Sequence, residues 1–173
     1  ESTEVPAGSC ASDCTLDDIY YSIWNTDGQQ IKPPTRLTAD TLGTGEGYSS
    51  PAIQPLTGGR WLLIYSHLPG GMAFSVVDSV GNLIRPRSFI GRYGWSPVAV
   101  QLPESGRIVI AWTAWADINP QIYYLVLDGD TYANVSAPGV PTQPAATTGS
   151  DFASLTTDSM GHAILTWMDF SSS

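Results

Sequence analysis

The chain is poor in charge, in lysine and in cysteine, and it has no long apolar run. Only 13% of its 173 residues are charged, 7 Lys and Arg stand against 16 Asp and Glu, and Lys32 is the single lysine. A net charge of -9 without a basic stripe repels phosphates, so we expect no nucleic-acid partner. Because no apolar stretch approaches the roughly 20 residues that span a bilayer, we expect no membrane insertion.

The only two cysteines, Cys10 and Cys14, lie in the segment GSCASDCT. Three intervening residues can close a small disulfide loop in an oxidising compartment, whereas a reducing one leaves the thiols free. Two thiols make half of a zinc site, and neither His67 nor His162 is near them in sequence. We predict a disulfide between Cys10 and Cys14 within an N-terminal extension, residues 1–17, with no metal and no cofactor.

Low charge with abundant Ser, Thr, Gly, Asn and Pro is typical of secreted proteins. We therefore expect an extracellular or cell-surface location. In that setting Asn134, in the sequence NVS, is a candidate glycan acceptor where the host modifies such sites.

The sequence repeats itself. Residues 50–66, 96–113 and 150–167 each contain an apolar run, a turn ending in glycine, and a second apolar run ending in an aromatic residue. The glycines are Gly59, Gly106 and Gly161, and the aromatics are Tyr65, Trp112 and Trp167. Both series step by 47 and then 55 residues, which is the signature of a repeat architecture.

A second element alternates with the first, at residues 18–34, 72–87 and 121–138. Its turn opens at Asn25, Asp78 and Asp128, and its last strand ends at Pro33, Pro86 and Pro138. Runs of β-branched and aromatic residues that meet at Gly, Asp and Asn turns indicate β-hairpins in both elements.

Consecutive apolar positions at 61–65 and 108–112 predict strands that are buried on both faces, as between stacked sheets. The polar last strand with its proline suits a sheet edge. Each unit thus has the strand order of a propeller blade: an inner strand, two buried strands and an edge strand. We predict an all-β fold of β-propeller blades, four-stranded antiparallel repeats of about 50 residues.

The alternation of SPAIQPLTGGRWLLIYS with DIYYSIWNTDGQQIKPP, over residues 18–170, resembles the blades of large secreted bacterial repeat proteins, particularly surface and adhesin-like propellers. The resemblance implies a cell-surface setting and no particular catalytic residue. We divide residues 18–173 into repeats, and the predicted segments are a half-blade 18–38, blades 50–90 and 96–140, and a half-blade 150–170.

These segments amount to about three blade equivalents, whereas closed propellers typically have four to eight. We therefore expect a ring that is incomplete in one chain. Other copies of the chain, or adjoining blades of a longer chain, would complete it. The alternative, a monomeric open solenoid or sandwich, leaves strands of the buried type exposed at both ends.

Candidate site residues lie on the connections between hairpins, which vary more than the turns within them. Four aromatic and two polar residues there can form a sugar platform: Tyr48, Tyr93, Trp95, Trp115, Asp117 and Asn119. The alternative is that these aromatics only fill gaps between sheets. Loop acids at 46, 117 and 169 are candidates for the carboxylate pair of a glycosidase, or are simply solvated.

We therefore expect a non-enzymatic extracellular structural or adhesion scaffold. Its alternative is a carbohydrate-binding, lectin-like propeller with glycans as partners. A fragment of a glycoside hydrolase is the weaker alternative.

Overall fold

The computed structural model describes residues 18–38, 47–68, 70–116, 119–136 and 149–170, which form eleven β-strands and no helix. The strands are β1 Tyr20–Trp24, β2 Gln30–Arg36, β3 Gly47–Leu56, β4 Arg60–Leu68, β5 Gly71–Val77, β6 Leu83–Gly91, β7 Gly94–Gln101, β8 Ile108–Ala116, β9 Asn119–Leu127, β10 Ser150–Thr157 and β11 Ala163–Asp169. Every strand pair is antiparallel, so the predicted all-β fold is confirmed. Within the described ranges no helix could cross a membrane.

The strands form four sheets, which we number in chain order. Sheet 1 is β1–β2, sheet 2 is β3–β4–β5–β6, sheet 3 is β7–β8–β9, and sheet 4 is β10–β11. An isolated bridge between Leu127 and Asn134 lies beside β9, where sheet 2 has its fourth strand. Among the described residues the sheets do not close into a ring.

Sheet 2 lies between sheets 1 and 3. On one face, Ile64 and Phe74 belong to the same buried cluster as Trp112 of sheet 3. On the other face, Tyr65 packs in a cluster with Ile19, which precedes β1. The prediction that residues 61–65 lie in a strand covered on both faces is therefore confirmed for its central residues. Each large apolar side chain buried in this way contributes roughly 1.5–3 kcal/mol.

Pro33 and Pro86 do not end their strands as the sequence suggested, and Pro138 lies outside the described residues. β2 continues through Pro33 to Arg36, and β6 continues through Pro86 to Gly91. Both are outer strands, with one neighbour each in their sheets. A proline there can turn its missing N–H group away from the ladder, so the strand tolerates it.

The first strands of sheets 2, 3 and 4 are neighbours, because β7 packs against both β3 and β10. Each contains a bulge at the equivalent place, with a residue of positive φ: Ser50 (51°), Ser96 (50°) and Phe152 (56°). A residue other than glycine costs roughly 1–2 kcal/mol in this conformation. Its recurrence in three strands indicates that packing between the sheets imposes it.

Candidate functional site

The bulge in β7 brings two of the predicted aromatic residues together. Trp95 directly precedes the bulge, and Trp115 lies near the end of β8. Their ring centroids are 5.4 Å apart and the ring planes are inclined by 53°. Trp95 is half-buried, whereas Trp115 is 52% exposed. The pair therefore presents to solvent one exposed ring that lies inclined against a half-buried one.

Asp151 of sheet 4 fixes the orientation of Trp95. The indole N–H donates to both carboxylate oxygens, at 3.2 and 3.1 Å. The Thr113 hydroxyl and the Phe152 backbone N–H also donate to Oδ1 of Asp151, each at 2.7 Å. Charge-assisted hydrogen bonds of this kind are about twice as strong as neutral ones. The contact thus joins β10 to both β7 and β8.

We call Trp95, Trp115 and Asp151 the tryptophan platform. Arg92, in the connection between β6 and β7, donates to the backbone carbonyl of Trp115 at 3.5 Å and is itself exposed. The platform therefore combines an exposed aromatic ring with a carboxylate, and the guanidinium group of Arg92 lies beside it. Aromatic faces with polar groups around them suit a ligand that has both an apolar face and hydroxyl groups.

The other predicted site residues lie in different places. Tyr48 is buried at 3% exposure, its ring contacts Tyr65 and His67, and its hydroxyl accepts a hydrogen bond from Arg87. It is thus part of the packing between sheets 1 and 2 and lies apart from the platform. Tyr93 is half-buried in the connection between β6 and β7.

Asn119 begins β9, where it pairs with Ala116, one residue beyond Trp115. Asn134 is exposed, and its side-chain oxygen accepts hydrogen bonds from the backbone and the hydroxyl of Ser136. Asp117, Cys10 and Cys14 lie outside the described residues, so the predicted disulfide stays a prediction.

Sequence reasoning missed Asp151, Thr113 and Arg92. Aligning the segments on their first serines matched Ser150 with Ser50 and Ser96, whereas the shared bulge makes Phe152 their equivalent and sets Asp151 level with Trp95. The contact of Asp151 with Trp95 was not visible in the sequence, because it joins residues 56 positions apart in different sheets.

Three carboxylates with a lowered pKa accept hydrogen bonds within their own turns and do not face the platform. The pKa of Asp78 is lowered chiefly by the backbone N–H of Asn82, and that of Asp158 by the backbone N–H of His162. The backbone N–H of Thr131 is the main cause of the lowered pKa of Asp128. A general acid needs a raised pKa, so these groups are unsuited to that role.

Among the residues that the structure describes, no three or more His, Cys, Asp or Glu side chains lie close enough together to hold a metal ion. Of the acids considered for a glycosidase, Asp169 lies at the end of β11, where its backbone pairs with Ser150. Positions 46 and 117 are not described.

A second concave region lies between sheets 2 and 3, with a volume of about 440 Å³. The Arg85 guanidinium lies 5.6 Å from the ring centroid of Phe74 and 5.7 Å from that of Tyr132. It donates to the Thr131 carbonyl at 3.1 Å, and Arg60 donates to the Tyr132 hydroxyl at 2.8 Å. The cationic groups here hold the chain's own aromatics and carbonyls, so the region serves to join the two sheets.

Searches against protein-family models, curated proteins and solved structures return no match to this chain.

Proposed function

We propose that the protein is a non-enzymatic extracellular scaffold of β-propeller type that works in adhesion, with sheets 2 and 3 as blades and the two-stranded sheets 1 and 4 as half-blades. The observation that carries this proposal is the adjacency of β3, β7 and β10, each with the same bulge. In a propeller the first strand of every blade lies next to the axis, so neighbouring first strands are what that architecture requires.

The edge strand supports the same arrangement. β6 is the outermost strand of sheet 2, has no buried residue, and contains Pro86. Its position farthest from β3 is where a blade meets solvent. An extracellular setting is in keeping with the low charge and the single lysine.

A reducing-sugar assay on a panel of plant, bacterial and animal polysaccharides tests the non-enzymatic part of the proposal. We expect no release above the buffer blank over a day of incubation. Steady release that disappears in the Asp151→Asn variant would contradict it and favour a glycoside hydrolase.

Carbohydrate binding at the tryptophan platform is a second candidate function. It is favoured by the exposed ring of Trp115 beside a Trp95 that Asp151 already holds in place. Because Trp95 is ordered before a ligand arrives, binding costs less side-chain entropy than on free rings. Such a platform would give the scaffold its adhesive contact.

A glycan array with purified protein tests this candidate. We expect Trp115→Ala to weaken binding about tenfold or more, as loss of a central aromatic contact does. Phe89→Ala is the matched control, because Phe89 is an equally exposed aromatic residue at 51% and lies on β6, in another sheet. Equal losses in both variants, or no binding to any glycan, would refute the candidate.

A further inference from the structure

Sheets 1 and 4 are complementary halves of the four-stranded sheet. The β10–β11 hairpin carries its bulge at Phe152, as β3 carries one at Ser50. Sheet 4 therefore corresponds to β3–β4. In sheet 1, Asn25 accepts backbone N–H groups two and four residues ahead, as Asp78 does in the β5–β6 turn. Sheet 1 therefore corresponds to β5–β6.

Both half-sheets have an unpaired long edge among the described strands. β1 pairs only with β2, and β11 pairs only with β10. In sheet 2 the equivalent edges belong to β4 and β5, which pair with each other along their length. Each half-sheet thus lacks the partner that the other half could supply.

Apolar residues are exposed on the half-sheets at positions that are buried in sheet 2. Tyr20 and Trp24 are 59% and 58% exposed, whereas Ala73 and Val77 at the same positions of β5 are 0% and 1% exposed. Ile164 is 46% exposed, whereas the equivalent Leu62 is 0% exposed. The half-sheets therefore expose apolar side chains at positions that are buried by neighbouring strands and sheets in sheet 2.

A cleft lies where the missing half of sheet 1 would be. Between β1 and the β3–β4 side of sheet 2 are two cavities of about 150 and 240 Å³, both lined by Tyr21, Ile53 and Leu63. Ile53, on the floor of this cleft, is 60% exposed. Its apolar lining suits the side chains on one face of a further β-hairpin.

We propose that the hairpin of sheet 4 from a second copy of this chain occupies the cleft, so that β11 of one copy pairs with β1 of the other and both junctions close in a dimer. The proposal rests on the propeller-type arrangement proposed above. Two copies with about three blade equivalents each give six, within the usual range of four to eight. Within one chain the two half-sheets belong to separate sheets, and pairing between two copies would join them.

Sheet 3 supplies the register of the junction. The segment Ile122–Tyr123–Tyr124 of β9 recurs as Ile19–Tyr20–Tyr21 at β1, and Trp112 of β8 is equivalent to Trp167 of β11. Trp112 pairs with Tyr123, with ring centroids 6.0 Å apart and planes inclined by 25°. Trp167 of one copy should therefore stack on Tyr20 of the other.

The same register places Leu165 opposite Ser22, as Leu63 pairs with Ser75 and Ile110 with Leu125. The double variant Ser22→Cys with Leu165→Cys should then form a disulfide between copies. The native cysteines at positions 10 and 14 are replaced by serine to leave only the engineered pair.

The expected product on a non-reducing gel is a covalent dimer of about 37 kDa, twice the 18.5 kDa of one chain, that a reductant returns to 18.5 kDa. The matched control combines Ser22→Cys with Thr166→Cys, one position out of register. Because neighbouring residues of a strand point to opposite faces, this pair should not cross-link. Equal cross-linking in both pairs would overturn the register and with it the proposal.

Light scattering of the unaltered protein gives the second readout. We expect a mass of about 37 kDa, with Tyr20→Asp weakening the dimer about 10- to 100-fold, since a carboxylate would be buried against Trp167. Tyr20 is exposed in the single chain, so this variant should still fold.

A monomeric mass at all concentrations would overturn the proposal and favour adjoining blades of a longer chain as the occupant. Masses beyond two copies would overturn it as well. Neither result bears on the proposed scaffold function or on glycan binding at the tryptophan platform, because glycan binding and the arrangement of sheets within one chain are measured separately.

Discussion

The Asp151 carboxylate joins sheet 4 to the tryptophan platform, and its removal should weaken both. In Asp151→Ala the indole N–H of Trp95 and the buried hydroxyl of Thr113 lose their acceptor. A hydrogen bond to a charged group contributes about 1.5–3 kcal/mol. Asp151 is only half-buried, so water screens part of this effect. We expect the free energy of unfolding to fall by about 2–3 kcal/mol in total.

Urea unfolding followed by the fluorescence of the chain's six tryptophans measures this change. Asp151→Asn keeps an oxygen acceptor for Thr113 but loses the charge, so we expect about half of the decrease in the free energy of unfolding seen in Asp151→Ala. Asp27→Asn is the control, since Asp27 is an exposed turn residue and its replacement should change stability by less than about 0.5 kcal/mol.

The near-ultraviolet circular dichroism, to which the Trp95–Trp115 pair contributes, gives an independent readout. It should weaken in Asp151→Ala, because Trp95 is no longer fixed against Trp115, and stay unchanged in the Asp27 variant. The reasoning is refuted if Asp151→Ala unfolds within 0.5 kcal/mol of the unaltered protein, about the ordinary spread of surface substitutions.

Three further predictions concern turns, bulges and the contact between sheets 2 and 3. The pKa values of Asp78, Asp128 and Asp158 are lower in the folded state than the unfolded value of 3.8. These carboxylates therefore stabilise the fold above pH 3.8, and their contribution is lost as the pH falls through the lower folded pKa values. Urea midpoints measured from about pH 6 to 2 should fall accordingly, and a flat profile would contradict this. Ser96→Gly should raise the free energy of unfolding by about 0.5–1 kcal/mol because it relieves a φ of 50°, and a loss of stability would count against strain at the bulge. Arg85→Met should cost about 1–2 kcal/mol through lost ring and carbonyl contacts, and an unchanged thermal midpoint would show that Arg85 does not join the sheets.

The hairpins were predictable because their signals are local. Gly59 and Gly106 adopt positive φ in turns, and the runs ending at Tyr65 and Trp112 are buried on both faces. The periodicity of apolar residues reports burial directly, so strand positions and two-sided packing followed from the sequence.

The features missed depend on contacts between sheets. Ser96 gives no sign of positive φ, because serine does not favour that conformation and the neighbouring sheet imposes it. Tyr48 looked like a loop residue beside the Gly-rich segment, yet β3 begins at Gly47 and buries it. Asp151 acquires its role only where β10 meets β7. None of these contacts leaves a pattern in neighbouring sequence positions.

We propose that the sheets lie around a common axis and that copies complete one another's half-sheets. A crystal structure of the full chain tests it most directly. We predict β3, β7 and β10 side by side at one axis, with β11 of each copy paired to β1 of the other. Sheets stacked as flat layers, with Trp24 and Met168 still facing solvent, would contradict the account.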